Sequence, residues 1–139
     1  MRLSLMTFMY EMPLLMSGSW NEEKSAAMEK ILKIAAEEGF TGVDLTHSTI
    51  CAMGADRIQS LLQQYRLPLS SLICFDHLAD PSLDDATALA PYLDAISLSK
   101  CLDCRHVMLV PGKASTGSDA PAAAAADAKV VSASAADTL

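Results

Sequence analysis

The chain has 139 residues, a hydrophobic share of 51% and a formal net charge of −7, which is enough apolar material for one domain of ordinary size with a sizeable core. Its pI of about 4.7 argues against a nucleic-acid partner held by bulk electrostatics, because phosphate binding needs clustered Lys and Arg. No apolar run approaches the ~18–20 residues of a membrane span, and four cysteines, Cys51, Cys74, Cys101 and Cys104, are too sparse for a disulfide scaffold, so a reducing cytoplasm is the expected setting.

The first sixteen residues are apolar and carry Arg2, but Glu11 and Pro13 interrupt the run and no A-x-A site follows. They do not read as a signal peptide. Leu3, Leu5 and Phe8 predict a first strand over roughly Arg2 to Phe8, and the Met12-Pro13-Leu14-Leu15-Met16 stretch reads as a loop over an apolar surface. A first helix starts at Ser19, with Glu22 three residues on as in a capping box, or at the rival cap Asn21. Ala27, Met28, Ile31, Leu32 and Ala35 recur at helical spacing. Gly39 can take the left-handed backbone that closes such a helix. Val43 and Leu45 then fill a second strand, with Asp44 and His47 toward its far end.

Ser48 to Ala55 reads as a loop. Ile58, Leu61, Leu62 and Tyr65 give a second amphipathic helix, ended at Leu67-Pro68. Leu69 to Phe75 predicts a third strand whose near-continuous apolar character suits a buried parallel position. Asp76-His77 stands at its far end. Asp84 and Asp85 open a third helix with Leu89, Leu93 and Ile96 along one face and a kink or late start at Pro91. Asp103 stands where a glycine cap is usual, and Asp tolerates the left-handed conformation better than most residues. Arg105 to Val110 is the fourth strand, ending in Pro111-Gly112. The order βαβαβαβ with short connections predicts an α/β fold with a parallel sheet and outer helices. Residues 113–139 are rich in Ala, Ser, Asp and Thr, offer little to bury, and read as a low-complexity tail, disordered or weakly helical.

The stretch Ala35-Ala36-Glu37-Glu38-Gly39-Phe40-Thr41-Gly42-Val43-Asp44-Leu45 resembles the sugar phosphate isomerase/epimerase family, the xylose isomerase-like TIM barrels, which commonly show a helix end, Gly-aromatic, then Gly-Val-Glu-Leu. The region Lys100 to Gly112 is similar to the family's next hallmark, a strand ending in Pro-Gly. The likeness spans about residues 1–112. It implies a (β/α)8 barrel, which needs about 250 residues, truncated here to its first four βα units. An early stop after a reading-frame change, a natural fragment or an interrupted gene would each produce such a chain.

The resemblance implies proton transfer next to a carbonyl of a sugar or polyol, aided in the full-length family by a divalent metal (Mn, Mg, Zn or Co). The family's metal ligands, two Glu, an Asp and a His from later strands, and its acid/base pair match no position here. The expectation is therefore a chain that binds no metal, contributes no catalytic residue and supplies substrate contacts only. Those candidates are Asp44, His47, His77 and Trp20. Asp44 stands where the family usually carries Glu, and either accepts bonds from sugar hydroxyls or caps a helix or pairs with a cation. His47 and His77 follow strands two and three, or are surface and packing residues. Trp20 either stacks on a sugar ring or serves as a hydrophobic staple. Endonuclease IV-like members of the superfamily use a ligand just before Pro-Gly; Val110 occupies that place, and the acidic charge also counts against a phosphodiesterase. Cys101-x-x-Cys104 straddles a helix end and a strand start and reads as packing. A third possibility is a non-catalytic half-barrel that self-associates through open sheet edges.

Overall fold

In a computed structural model, residues 2–76 and 83–111 are described; the expected site residue His77 and the expected tail 113–139 lie outside them. The elements run β1 (Ser4–Met6), α1 (Phe8–Met16), α2 (Glu22–Glu37), β2 (Gly42–Thr46), α3 (His47–Met53), α4 (Ala55–Tyr65), β3 (Leu69–Asp76), α5 (Asp85–Cys101) and β4 (Val107–Pro111).

One local device recurs before β2, β3 and β4. At the end of α2, Gly39 has φ +82°, its N–H donates to Ala36 O, and Phe40 N–H reaches back to Ala35 O at 3.0 Å. At the end of α4, Arg66 has φ +54° and Leu67 N–H donates to Leu62 O at 2.9 Å. At the end of α5, Asp103 has φ +50° and Cys104 N–H donates to Ser99 O at 2.8 Å. Each is a Schellman closure that satisfies orphan carbonyls and turns the chain toward the sheet. Phe40, Leu67 and Cys104 then tuck against the core.

The four strands are all parallel and lie in the order β1-β2-β3-β4. A doubly wound sheet would reverse its strand order at a switch point. This sequential order is instead compatible with half of an α/β barrel. The β2/β3 register slips between Val43↔Leu69 and Asp44↔Ser71, leaving Ser70 as an extra residue. The chains approach closely there: a Cβ at Gly42 would sit 3.1 Å from Pro68 O.

A single core joins Met28, Leu32 and Ala35 of α2, Ile58, Leu61 and Leu62 of α4, and Tyr92 and Ala95 of α5 to Val43, Leu45, Leu72 and Cys74 of the sheet. Alternation puts Ser4, Met6, Asp44, Thr46, Ser71, Ile73 and Phe75 on the other face. Met6 and Phe75 are exposed there, Phe75 at 42%. The main helices therefore cover one face of the sheet, as in a barrel wall.

Several expectations are corrected. Strand one is three residues long, and the expected loop at Met12–Met16 belongs to α1, which tolerates Pro13 because tertiary contacts from Glu11 hold it. The expected loop Ser48–Ala55 is mostly helical: α3 starts directly after β2 and is capped by Thr46, whose Oγ1 accepts from Thr49 N–H at 3.2 Å. Asn21, rather than Ser19, caps α2, accepting from Lys24 N–H at 3.0 Å. On α5 the apolar stripe Leu89, Leu93 and Ile96 faces outward, and Ala88, Tyr92, Ala95 and Ser99 face inward. Small residues on that side let the helix approach the sheet closely, which outweighs the larger side chains.

Candidate functional site

Asp44 lies in the middle of β2, not at its end. Its carboxylate is half-buried on the face turned away from α2, α4 and α5, and accepts the Ser4 hydroxyl at 3.1 Å. Phe75 on the same face stacks on Phe8 with ring centroids 4.7 Å apart. Asp44 pairs with Ser71 in the β2/β3 register, so Phe75, four residues further along β3, stands about 13 Å away at ~3.3 Å per residue. The carboxylate of Asp44 with the Ser4 hydroxyl suits the hydroxyl groups of a polyol.

Above this face, at the strand ends, α1 inserts the fully buried carboxylate of Glu11. One oxygen accepts the Thr46 N–H at 3.0 Å and the Thr46 hydroxyl. The other bonds the Thr7 hydroxyl, which also contacts Asp44 O. Both oxygens are occupied, so Glu11 fastens α1 over β2 and presents no open ligand atom.

The densest group of chemistry-bearing side chains sits between α3 and α5. His47, the first residue of α3, and Cys51, one turn on, share a helix face. Asp94 reaches them from the middle of α5. His47 Nε2 lies 2.6 Å from Asp94 Oδ2 and 3.3 Å from Cys51 Sγ, and Cys51 Sγ lies 3.7 Å from Asp94 Oδ2. Partial burial first, and then the neighbouring Asp94 carboxylate, push the Cys51 thiol above its ordinary range. The thiol is thus a weak nucleophile unless a cation takes its proton's place.

Trp20 is committed locally. It precedes the cap Asn21, packs against the core, and its ring N–H donates to Ser25 Oγ at 2.8 Å in the first turn of α2. It does not converge with Asp44 or His47. Cys104 is buried, with burial raising its thiol, and donates to His106 O at 3.2 Å, whereas Cys101 is exposed rather than packed. His106 precedes β4 at the opposite end of the sheet and contacts Ser70 O. A groove between Gln59, Arg66, Pro68 and Asp103 also lies at that end, away from the strand ends where parallel α/β sites collect.

Neither the protein-family models nor the curated proteins gave a match to this chain. Among the described residues, no helix is long and apolar enough to cross a membrane.

Sequence reasoning missed Glu11, Cys51 and Asp94. The single acid inside the apolar run Phe8–Met16 signals a buried carboxylate, and His47-x-x-x-Cys51 is a one-face helical pair once α3 is recognised. Nothing local signals Asp94, because its partners are more than forty positions away.

Proposed function

We propose that this chain is the recognition half of a sugar isomerase/epimerase-type α/β barrel, with the sheet face turned away from α2, α4 and α5 as the wall that meets the substrate. The observation that carries this reading is Asp44, half-buried and held by Ser4 on the face opposite α2, α4 and α5 of a sequentially ordered parallel sheet. Asp44 accepts hydrogen bonds from vicinal hydroxyls of a sugar or polyol.

The divalent metal that such barrels use does not fit this face among the described residues. Both oxygens of Glu11 are already engaged, and among the described residues Asp44 belongs to no group of three or more metal-ligating side chains. No proton-transfer step is therefore assigned to this chain's own residues; its part is binding and orientation.

The test is a calorimetric and NMR titration with an aldose, a ketose, their phosphates and a linear polyol. We expect saturable binding that Asp44→Asn weakens at least tenfold while the circular dichroism spectrum stays unchanged. Binding to none of these probes, or binding that survives Asp44→Asn, would sink the reading.

A further inference from the structure

The geometry points to a metal site of zinc type that cross-links α3 to α5 through His47 Nε2, Cys51 Sγ and Asp94 Oδ2. It is separate from the sheet face discussed above, and no part of it depends on the sugar reading.

Three ligand atoms of three different kinds lie within 4.8 Å of one another. For tetrahedral zinc, with Zn–S about 2.3 Å and Zn–N and Zn–O about 2.0–2.1 Å, ligand-to-ligand separations come to roughly 3.3–3.6 Å. The Cys51–His47 separation of 3.3 Å and the Cys51–Asp94 separation of 3.7 Å are within about 0.2 Å of that range. The His47–Asp94 pair, at 2.6 Å, is hydrogen-bonded and must open by about 0.7 Å to admit the ion. Asp94 is 56% exposed on its side chain, so it has room to swing.

The rival reading is a Cys-His-Asp nucleophile. In such a triad the carboxylate binds one ring nitrogen and the nucleophile uses the other. Here the carboxylate and the thiol converge on the same nitrogen, Nε2. One nitrogen cannot serve both, so proton relay from thiol to imidazole to carboxylate is blocked. Convergence on one point is what a central cation requires.

The donor set selects the ion. A thiolate, an imidazole and one carboxylate favour zinc or cobalt over magnesium or calcium, which want oxygen ligands. The fourth position faces solvent, since Cys51 and Asp94 are exposed, so water completes the tetrahedron. Binding replaces the proton on Cys51 Sγ with the metal: one thiol S–H bond breaks, one metal–sulfur bond forms, and the proton passes to solvent. Affinity therefore rises with pH. The two ligands on α3 are preset by its capped start at Thr46.

The experiment is a titration of the purified chain with cobalt(II) alone, followed by zinc(II) competition, with thermal melts in zinc, magnesium and chelator. We expect one cobalt per chain, a thiolate-to-cobalt charge-transfer band in the near ultraviolet and tetrahedral d–d bands. Cys51→Ser removes the charge-transfer band, and the double variant Cys101→Ser/Cys104→Ser keeps it. His47→Ala and Asp94→Asn each weaken binding at least tenfold. Zinc raises the melting temperature of the wild type but not of Cys51→Ser, and magnesium raises neither. A missing charge-transfer band, a band that persists in Cys51→Ser, or one that disappears in the Cys101/Cys104 variant would overturn the site. So would a magnesium effect equal to that of zinc.

Discussion

Glu11 of α1 holds the backbone N–H of Thr46 at 3.0 Å, across thirty-five positions of sequence. This bond joins the helix after β1 to the last residue of β2, and its acceptor is a carboxylate with no exposed surface. A buried carboxyl group is retained only where hydrogen bonds satisfy it. Here the hydroxyls of Thr7 and Thr46 and the Thr46 N–H supply them.

Glu11→Ala should therefore be among the most damaging single changes in α1. It strands the Thr46 N–H in the interior and costs about 2–3 kcal/mol. Glu11→Gln keeps a carbonyl acceptor and should cost less. Urea denaturation of the two variants checks the order; an Ala variant as stable as the wild type would show that α1 is not fastened this way.

The repeated helix closures make a pair of opposite predictions. Gly39→Ala forces a Cβ into φ +82° and should lose about 1 kcal/mol. Arg66 already pays that strain at φ +54°, so Arg66→Gly should gain about 0.5–1 kcal/mol. Thermal melts of both proteins test the sign. If both changes destabilise, the closure at Arg66 is held by contacts of its side chain and not limited by its backbone.

Asp84 caps α5, accepting Thr87 N–H at 2.9 Å and the Thr87 hydroxyl at 2.8 Å. The backbone bond first, and then the hydroxyl, hold its carboxyl below the usual carboxylate range. A folded-state value below the unfolded one contributes stability above the unfolded pKa, and that contribution is lost as pH falls through the folded one. The wild type should therefore lose more stability than Asp84→Asn between about pH 5 and about pH 3. Glu22, lowered by its bond to Arg57, adds a loss of the same sign in both proteins. Equal acid slopes for the two would show that Asp84 does not act as a charged cap.

The strands and α2 were legible because their signals are local. Val43 and Leu45 alternate with polar residues, Gly39 closes α2, and Asp103 takes its expected left-handed backbone. What escaped depends on long-range contacts. α1 looks like a loop because Pro13 and an all-round apolar pattern hide its period, and the contacts that hold it, Glu11 to Thr46 and Phe8 on Phe75, are long-range. α3 is too short for a periodicity to emerge. Val43, Leu45 and Leu109 pack under the helices, whereas Ile73 lies on the other face of the sheet. Alternation identifies two faces of a strand, but not which one the helices will cover.

The same ambiguity on α5 supports the last prediction. Its two stripes, Ala88-Tyr92-Ala95-Ser99 and Leu89-Leu93-Ile96, have the same helical spacing, and the second is the more apolar. The structure buries the first and leaves Leu93 62% exposed. Leu93→Lys should therefore leave stability unchanged to within about 0.5 kcal/mol, while Ala95→Lys, which places a charge in a fully buried position, should prevent folding. The exposed stripe adds to other uncovered surface. Among the described residues, β1 and β4 each pair with one strand, and Met6 and Phe75 are exposed on the sheet face turned away from α2, α4 and α5. Apolar patches and strand edges of this kind draw copies of a chain together. We expect the wild type to self-associate with rising concentration in sedimentation velocity, and Leu93→Lys/Ile96→Lys to reduce that association without lowering the melting temperature. A large loss of stability in Leu93→Lys would mean that this face of α5 is covered after all. A wild type that stays monomeric across the concentration series would show that the uncovered stripe and the strand edges are too small, or too well solvated, to bring two copies together.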